Sequence, residues 1–206
     1  MADDFLASLL GNQNRARIVR TFGLNQPQVF TAAQVAKRAG VNLAGATREI
    51  RALEGIGVLK KAKFSIQVGK QKRAVTGKQK EQAWTFDIDS KHALALSKFI
   101  HETTPQHHKE MINALKRSGR LSAVILSGSF MGDLTRPADL IVAADGLNES
   151  RLEAVIKGFE PALGREIRYA AFSTPEFRYR LTIHDRLLRE ILDYPHTVLL
   201  DKARLL

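Results

Sequence analysis

Residues 31–54 read TAAQVAKRAGVNLAGATREIRALE, and this stretch decides the fold of the N-terminal half. Thr31 can cap a helix over residues 32–39 that ends at Gly40. Asn42 can then cap a second helix, which continues to the end of the stretch. The stretch therefore predicts two short helices joined by a tight turn.

The second of these helices has two different faces. Ala46, Ile50 and Leu53 recur at spacings of four and three residues, so we expect them to face the core. The opposite face has short side chains near its start, which allow close approach to a DNA major groove, and arginines that can fork onto a guanine edge. Its members are Asn42, Ala44, Gly45, Thr47, Arg48 and Arg51. Double-stranded DNA is the predicted partner of this face, and a solvated face on a protein-binding domain is the alternative.

The flanking segments extend this half in both directions. Residues 5–22 carry an apolar stripe with helical spacing, which predicts one helix. After Gly57 the pattern changes to strands, first at residues 58–59 and 64–68 and then at residues 82–88, where apolar residues alternate. The N-terminal half is thus predicted to contain three helices followed by a two-stranded ribbon.

The connection within the ribbon is strongly basic. Residues 1–90 hold 15 Lys and Arg against 7 Asp and Glu, so +8 of the net charge of +11 belongs to this half. A surplus of this kind is typical of proteins that bind nucleic acid, at the phosphate backbone or in a minor groove. Residues 60–80 contribute eight basic residues and no acidic one, namely Lys60, Lys61, Lys63, Lys70, Lys72, Arg73, Lys78 and Lys80.

This order of elements resembles the winged helix-turn-helix of bacterial regulators. The resemblance covers about residues 10–88 and rests on residues 31–54 together with the exit Leu53-Glu54-Gly55-Ile56-Gly57-Val58-Leu59. It implies that the second helix of the motif contacts DNA and that the ribbon forms a wing. Such regulators often pair into two-fold dimers matched to palindromic DNA, so a homodimer is the expected assembly.

The second half alternates predicted strands and helices, which indicates a mixed α/β domain. Strands are predicted at residues 123–126, 139–144, 166–172 and 196–200, and helices at residues 149–160 and about 180–192. Two further helices, over residues 92–103 and 105–118, lead into this half. The expected organisation is an α+β two-domain protein, with a winged helix over residues 1–90, a helical connector over 91–118 and the mixed α/β domain over 119–206.

Gly128-Ser129-Phe130 directly follows a buried strand, and Asp139 opens the next strand. This pattern resembles the nucleotidyltransferase superfamily. Together with segments within residues 163–196, it is similar to bacterial proteins that join a winged helix to a degenerate nucleotidyltransferase-like domain. In active members a Gly-Ser turn holds the nucleotide phosphates, and an Asp-x-Asp pair with a third acid holds magnesium, which prefers oxygen ligands.

The sequence departs from that active pattern. Pro137 stands at the first Asp position, and Arg168 stands about where the third carboxylate belongs, where it could pair with Asp139. The resemblance thus implies a vestigial nucleotide site at Gly128, Ser129 and Asp139, with no metal, no cofactor and no catalytic residue. A nucleotide or anion ligand remains compatible with it. The alternative is a metal-dependent nucleotidyltransferase with an appended DNA-binding module.

Composition excludes several other classes of protein. There is no cysteine, which excludes a disulfide scaffold, thiol catalysis and a cysteine zinc site. No apolar run approaches the ~20 residues of a membrane helix. Met1-Ala2-Asp3-Asp4 is acidic, whereas a secretory signal begins with basic residues. These exclusions lead us to expect a cytoplasmic protein that binds no membrane, and the resemblance implies that it is a transcription regulator that binds DNA.

Overall fold

A computed structural model describes residues 4–63, 82–105, 107–202 and 204. The described chain is α+β and divides into two compact units. The N-terminal unit comprises Asp3–Pro105 and Pro161–Arg165, and the C-terminal unit comprises Gln106–Glu160 and Glu166–Leu206. The residues of the predicted helical connector, 91–118, are therefore shared between the two units.

The N-terminal unit packs helices against a small antiparallel sheet with the strand order β1-β3-β2. Its described elements are α1 (Phe5–Leu10), α2 (Gln13–Gly23), β1 (Phe30–Thr31), α3 (Ala32–Ala39), α4 (Leu43–Gly55), β2 (Leu59–Ala62), β3 (Ala83–Phe86) and α5 (Ala93–Glu102). Helices and strands share one core, whose buried members include Leu6, Ile18, Phe22, Phe30, Val35, Ala46, Ile50, Leu53, Leu59, Phe86 and Ile100. The expectation that Ala46, Ile50 and Leu53 face the core is confirmed.

The predicted helix caps in residues 31–54 are confirmed. The Thr31 hydroxyl accepts from the Gln34 amide at 3.3 Å, and the Gln34 side chain accepts from the Thr31 amide at 2.9 Å. Gly40 ends α3, and the Asn42 side chain accepts from the Gly45 amide at 2.7 Å at the start of α4. These caps satisfy amides that have no partner inside the helix, so they fix where each helix begins.

The single helix predicted over residues 5–22 is wrong. Gly11 adopts a left-handed φ of 60° and ends α1. The Asn12 side chain then accepts from the Arg15 amide at 3.1 Å and begins α2. The apolar stripe is present on both sides of this break, so periodicity alone did not show it.

The two strands predicted near residues 58 and 82–88 are present as β2 and β3, which pair antiparallel with Leu59 opposite Phe86 and Lys61 opposite Trp84. The predicted strand segment 64–68 lies outside the described residues. A short strand that the sequence pattern did not predict, β1, pairs with β3.

The C-terminal unit is built on a four-stranded sheet with the order β6-β5-β4-β7. Strands β5 and β6 run parallel, and the other pairs are antiparallel. The described elements are α6 (His108–Leu115), β4 (Arg120–Leu126), a 3-10 turn (Gly128–Met131), β5 (Leu140–Asp145), α7 (Glu149–Leu163), β6 (Tyr169–Phe172), α8 (Thr174–Thr182), α9 (Arg186–Leu192) and β7 (Thr197–Asp201). The last three residues of α7 belong to the N-terminal unit. Phe177 of α8 and Leu188 and Ile191 of α9 pack against one face of this sheet.

The predicted helix over residues 180–192 is also wrong, because the chain forms α8 and α9 in its place. Ser173 caps α8, and its hydroxyl accepts from the Glu176 amide at 3.3 Å. His184 adopts a left-handed φ of 52°, and Asp185 then caps α9. Ser173 followed by Pro175 is a helix-start signal in the sequence.

Across the described residues, no helix has the length and apolar character needed to cross a membrane.

Candidate nucleic-acid interface and the Asp139 site

The predicted DNA-contacting face of α4 points away from the core. Asn42, Ala44, Arg48 and Arg51 are exposed, and Gly45 and Thr47 are half-buried. Two of these polar groups are already engaged, because Asn42 caps α4 and the Thr47 hydroxyl donates to the Leu43 carbonyl at 2.8 Å. Arg48, with a side chain that is 75% exposed, and Arg51 are therefore the long polar side chains that this face presents.

Behind Arg48 lies a buried carboxylate that the sequence analysis missed. The Glu49 side chain is only 3% exposed, and its Oε2 accepts from Arg15 Nε at 2.7 Å. Its Oε1 accepts from Asn12 Nδ2 at 3.2 Å and lies 3.6 Å from Arg48 Nε. A sequence signal exists for Glu49: it follows Ala46 by three residues, so it belongs on the inner side of the helix.

The end of α4 is joined to the sheet by Glu54. Trp84 Nε1 donates to Glu54 Oε2 at 2.9 Å, and Lys61 Nζ lies 3.4 Å from Glu54 Oε1. The hydrogen bond from Trp84, assisted by Lys61 and Arg51, holds the pKa of Glu54 below its usual value. The contacts of Glu54 with Trp84 and Lys61 thus join α4 to β3 and β2, in addition to the shared core.

The basic set predicted for the ribbon is only partly described. Lys60 Nζ lies 3.0 Å from Asp87 Oδ1 and also pairs with Asp89, and these hydrogen bonds raise the pKa of Lys60. Lys61 is paired with Glu54, as given above, and Lys63 is exposed. The other predicted members lie outside the described residues, namely Lys70, Lys72, Arg73, Lys78 and Lys80. Within the described part of the set, Lys63 is therefore the residue best placed to meet a phosphate.

The C-terminal site centres on Asp139, which is fully buried just before β5. Arg168 Nη2 donates to Asp139 Oδ1 at 2.9 Å, and Arg168 Nε donates to Oδ2 at 3.0 Å. The Ser129 amide donates to Oδ1 at 2.7 Å, and the Arg168 amide donates to Oδ2 at 2.9 Å. A carboxylate offers about four acceptor positions, so Asp139 is saturated by protein donors. The expected pairing of Arg168 with Asp139 is confirmed.

Burial raises the pKa of Asp139, but the side chain of Arg168 and the two amides lower it further than burial raises it. The net pKa is therefore below the usual aspartate value, and Asp139 is ionised. The same contact raises the pKa of Arg168. The pair is a bidentate ion pair, which is the geometry that arginine favours with carboxylates.

The Gly128-Ser129 turn is fitted to this carboxylate. Gly128 has a φ of 53°, and a Cβ there would lie 2.4 Å from Asp139 Oδ1, so a glycine is required. The Phe130 amide donates to the Ser127 carbonyl at 3.1 Å. Two amides of the turn, those of Ser129 and Phe130, are therefore engaged inside the protein and are not available to a phosphate in this arrangement.

Other carboxylates near the turn do not extend the site. Pro137 is exposed and has no ligating atom in its side chain. Asp133 accepts a hydrogen bond from the Thr135 amide at 2.9 Å and pairs with Arg136 at 2.9 Å. The pKa of Asp133 is lowered, mainly by the hydrogen bond that the Thr135 hydroxyl donates to it. Within residues 4–63, 82–105 and 107–202, no group of three or more His, Asp or Glu side chains is arranged to hold a metal ion.

No family model, no curated protein and no solved structure matches this chain.

Proposed function

We propose that this chain is a transcriptional regulator that binds double-stranded DNA through a winged helix-turn-helix in its N-terminal unit. In this proposal α3 and α4 form the helix-turn-helix, and β2 and β3 with their basic connection form the wing. The observation that carries it is α4 itself: one side is fixed in the core by Ala46, Ile50 and Leu53, and the other exposes Arg48 and Arg51.

The chemistry of this face suits a major groove. Ala44 and Gly45 have little or no side chain, so the start of α4 can approach base edges closely. Arg48 carries a guanidinium that can fork onto the O6 and N7 atoms of a guanine. Arg51, one turn further along the exposed face, is within reach of a phosphate or a second base.

Charge favours DNA over a protein partner. The surplus of +8 in residues 1–90 is the electrostatic pattern expected for a polyanion, and a protein-interaction domain has no need of it. Each phosphate contact releases counterions, so a basic wing supplies affinity for any sequence. Sequence preference would come from α4. A homodimer that presents two such helices to a palindromic site remains the expected assembly.

For the C-terminal unit we propose a non-catalytic role, as a sensor, scaffold or dimerisation domain. Nucleotidyl transfer depends on metal ions held by carboxylates that have free oxygen lone pairs. Asp139 has four protein donors, and Arg168 supplies the positive charge beside it. The alternative, a metal-dependent nucleotidyltransferase, would require the bidentate pair to separate before a cation could bind.

The proposal is tested by measuring the affinity for duplex DNA across a salt series by fluorescence anisotropy. If about six phosphates are contacted, the affinity should fall on the order of a thousandfold between roughly 50 and 200 mM salt. A labelled duplex of random sequence is sufficient for this test, because the backbone term does not depend on sequence. No binding at low salt, or binding that salt does not weaken, would contradict the proposal.

A further inference from the structure

We propose that Arg15, Glu49 and Arg48 act as one unit in DNA binding, with Arg15 as a phosphate-contacting residue and Glu49 as the residue that positions both arginines. This inference rests on the proposed function. It extends the interface to α2, outside both the α4 face and the basic connection.

The Arg15 guanidinium is hydrogen-bonded through Nε, and its other edge carries the two terminal nitrogens. Its Nε donates to Glu49, while the side chain is 37% exposed. Within the described chain, its two terminal nitrogens make no hydrogen bond. A guanidinium fixed in this way presents the remaining donors in one direction, and that suits the oxygens of a phosphate.

Arg15 and Arg48 each contact one oxygen of the same Glu49 carboxylate. Arg15 Nε lies 2.7 Å from Glu49 Oε2, and Arg48 Nε lies 3.6 Å from Glu49 Oε1. Because Arg48 belongs to the exposed face of α4, Arg15 is at the margin of that same face. A duplex with its groove against α4 would therefore bring a backbone phosphate toward Arg15.

The two contacts of Glu49 differ in a way that fits this division of roles. At 3.6 Å the contact with Arg48 is an ion pair without a hydrogen bond. Arg48 can leave it for a base edge at little cost. Glu49 then keeps the hydrogen bonds from Arg15 and Asn12, so no buried carboxylate is left without a partner. Glu49 thus attracts the Arg48 guanidinium electrostatically, without a hydrogen bond that would hold it back from DNA.

The first experiment tests the phosphate contact of Arg15. Salt titrations are made with the full chain on a random duplex and on a duplex selected from a randomised pool. For Arg15→Gln we expect the slope of log affinity against log salt to decrease by about one unit, with equal loss of affinity on both duplexes. Lys98→Gln, the same charge change at an exposed residue of α5, should keep the wild-type slope.

The second experiment tests the positioning role of Glu49. Glu49→Gln removes a negative charge beside the DNA, so electrostatics alone would strengthen binding to every duplex. If Glu49 positions Arg48, the preference for the selected duplex over the random one should fall about fivefold or more, while affinity for the random duplex does not fall. A role in folding alone would lower both affinities together. In Arg15→Gln the side-chain amide nitrogen takes the place of Arg15 Nε and can still donate to Glu49, so this variant keeps the inference testable if Glu49→Gln does not fold.

The outcomes separate the inference from the proposed function. Failure of the wild-type chain to bind either duplex overturns both. If the wild type binds but Arg15→Gln retains its salt slope, or Glu49→Gln retains its preference, the inference is overturned and the proposed function stands.

Discussion

Asp139 is a buried charge whose position is stable only because every acceptor position is used. Removing a carboxylate from water is unfavourable, and the four hydrogen bonds from Arg168 and Ser129 offset that cost. The chain thus combines a buried aspartate with an arginine that neutralises it. The consequence at this scale is structural: each member of the pair depends on the other.

Arg168→Met should destabilise the C-terminal unit by about 2–3 kcal/mol, because it leaves Asp139 buried without its countercharge. We expect a smaller loss than for a fully buried ion pair, because the Arg168 side chain is 43% exposed and water reaches it. Urea unfolding measures the change. Arg186→Met, at an exposed arginine paired with Glu190, is the matched control and should change stability by less than about 0.5 kcal/mol. Adding Asp139→Asn to Arg168→Met should cost less than the two single changes summed.

The lowered pKa of Asp139 makes stability depend on pH in acid. Asp139 stays ionised in the folded protein at pH values where an unfolded aspartate, with a pKa near 3.9, takes up its proton. The stabilisation is therefore fully present above about pH 5 and is lost as pH falls through the lower, folded-state pKa. In urea unfolding across this range, Asp139→Asn should show a shallower loss of stability on acidification than the wild type. An equal slope would contradict the assignment; Asp193→Asn controls for the loss of one exposed negative charge.

At the scale of elements, α4 owes its predictability to local chemistry. The Asn42 cap and the inward spacing of Ala46, Ile50 and Leu53 involve residues close in sequence, so the sequence alone predicts them. The contact of Glu49 with Arg15 joins residues 34 positions apart. Periodicity tells which side of a helix is buried, but it does not tell which element packs there, so this contact could not be predicted.

The two segments that were wrongly predicted as single helices were misread for the same reason. Residues 5–22 and 180–192 each read as one helix because apolar residues continue through the break. In the structure, Gly11 and His184 take left-handed conformations, and Asn12 and Asp185 begin new helices. For Asp185 and Asn12 the cap residue was visible in the sequence, but an asparagine or aspartate inside an apolar pattern is compatible with either outcome.

The proposed roles of α4 and the wing predict different effects of mutation. Arg48→Ala should cost about 1–3 kcal/mol at a selected duplex and little on random DNA, because it removes a base contact. Lys72→Ala should weaken binding to both duplexes equally, because a phosphate contact carries no sequence information. Competition titrations with the two duplexes measure both variants. An equal loss on both duplexes for Arg48→Ala would place Arg48 on the backbone.

At the scale of the whole molecule, the α+β character and the alternation of strands and helices were predictable, whereas the partner of each strand was not. Strand β1 was missed because two residues are too few for an alternating pattern. The pairing of Asp139 with Arg168 was expected only because the resemblance placed them at corresponding positions of one site. The pairing of strands depends on the fold of the entire sheet, and the spacing of residues within one strand does not show which strand is its neighbour.

The complete chain should not transfer nucleotides. With labelled ATP and magnesium, we expect no label on protein or nucleic acid, because the oxygens of Asp139 are engaged and Pro137 offers no ligand. Calorimetry with ATP, with and without magnesium, distinguishes binding from turnover. Magnesium-dependent transfer that Asp139→Ala abolishes would overturn the non-catalytic role of the C-terminal unit.

The N-terminal unit consists of two separate pieces of chain, since it includes Pro161–Arg165. Within that unit, Asn25 Nδ2 donates to the Gly164 carbonyl at 2.8 Å. The Asn25 side chain is buried, so it needs this acceptor from the second piece of chain. A single crossover between residues 106 and 160 would leave the first unit without one of its own segments. Transfer of the N-terminal unit to another chain with its packing intact would therefore need the 161–165 segment as well as the first 105 residues, and so more than one junction.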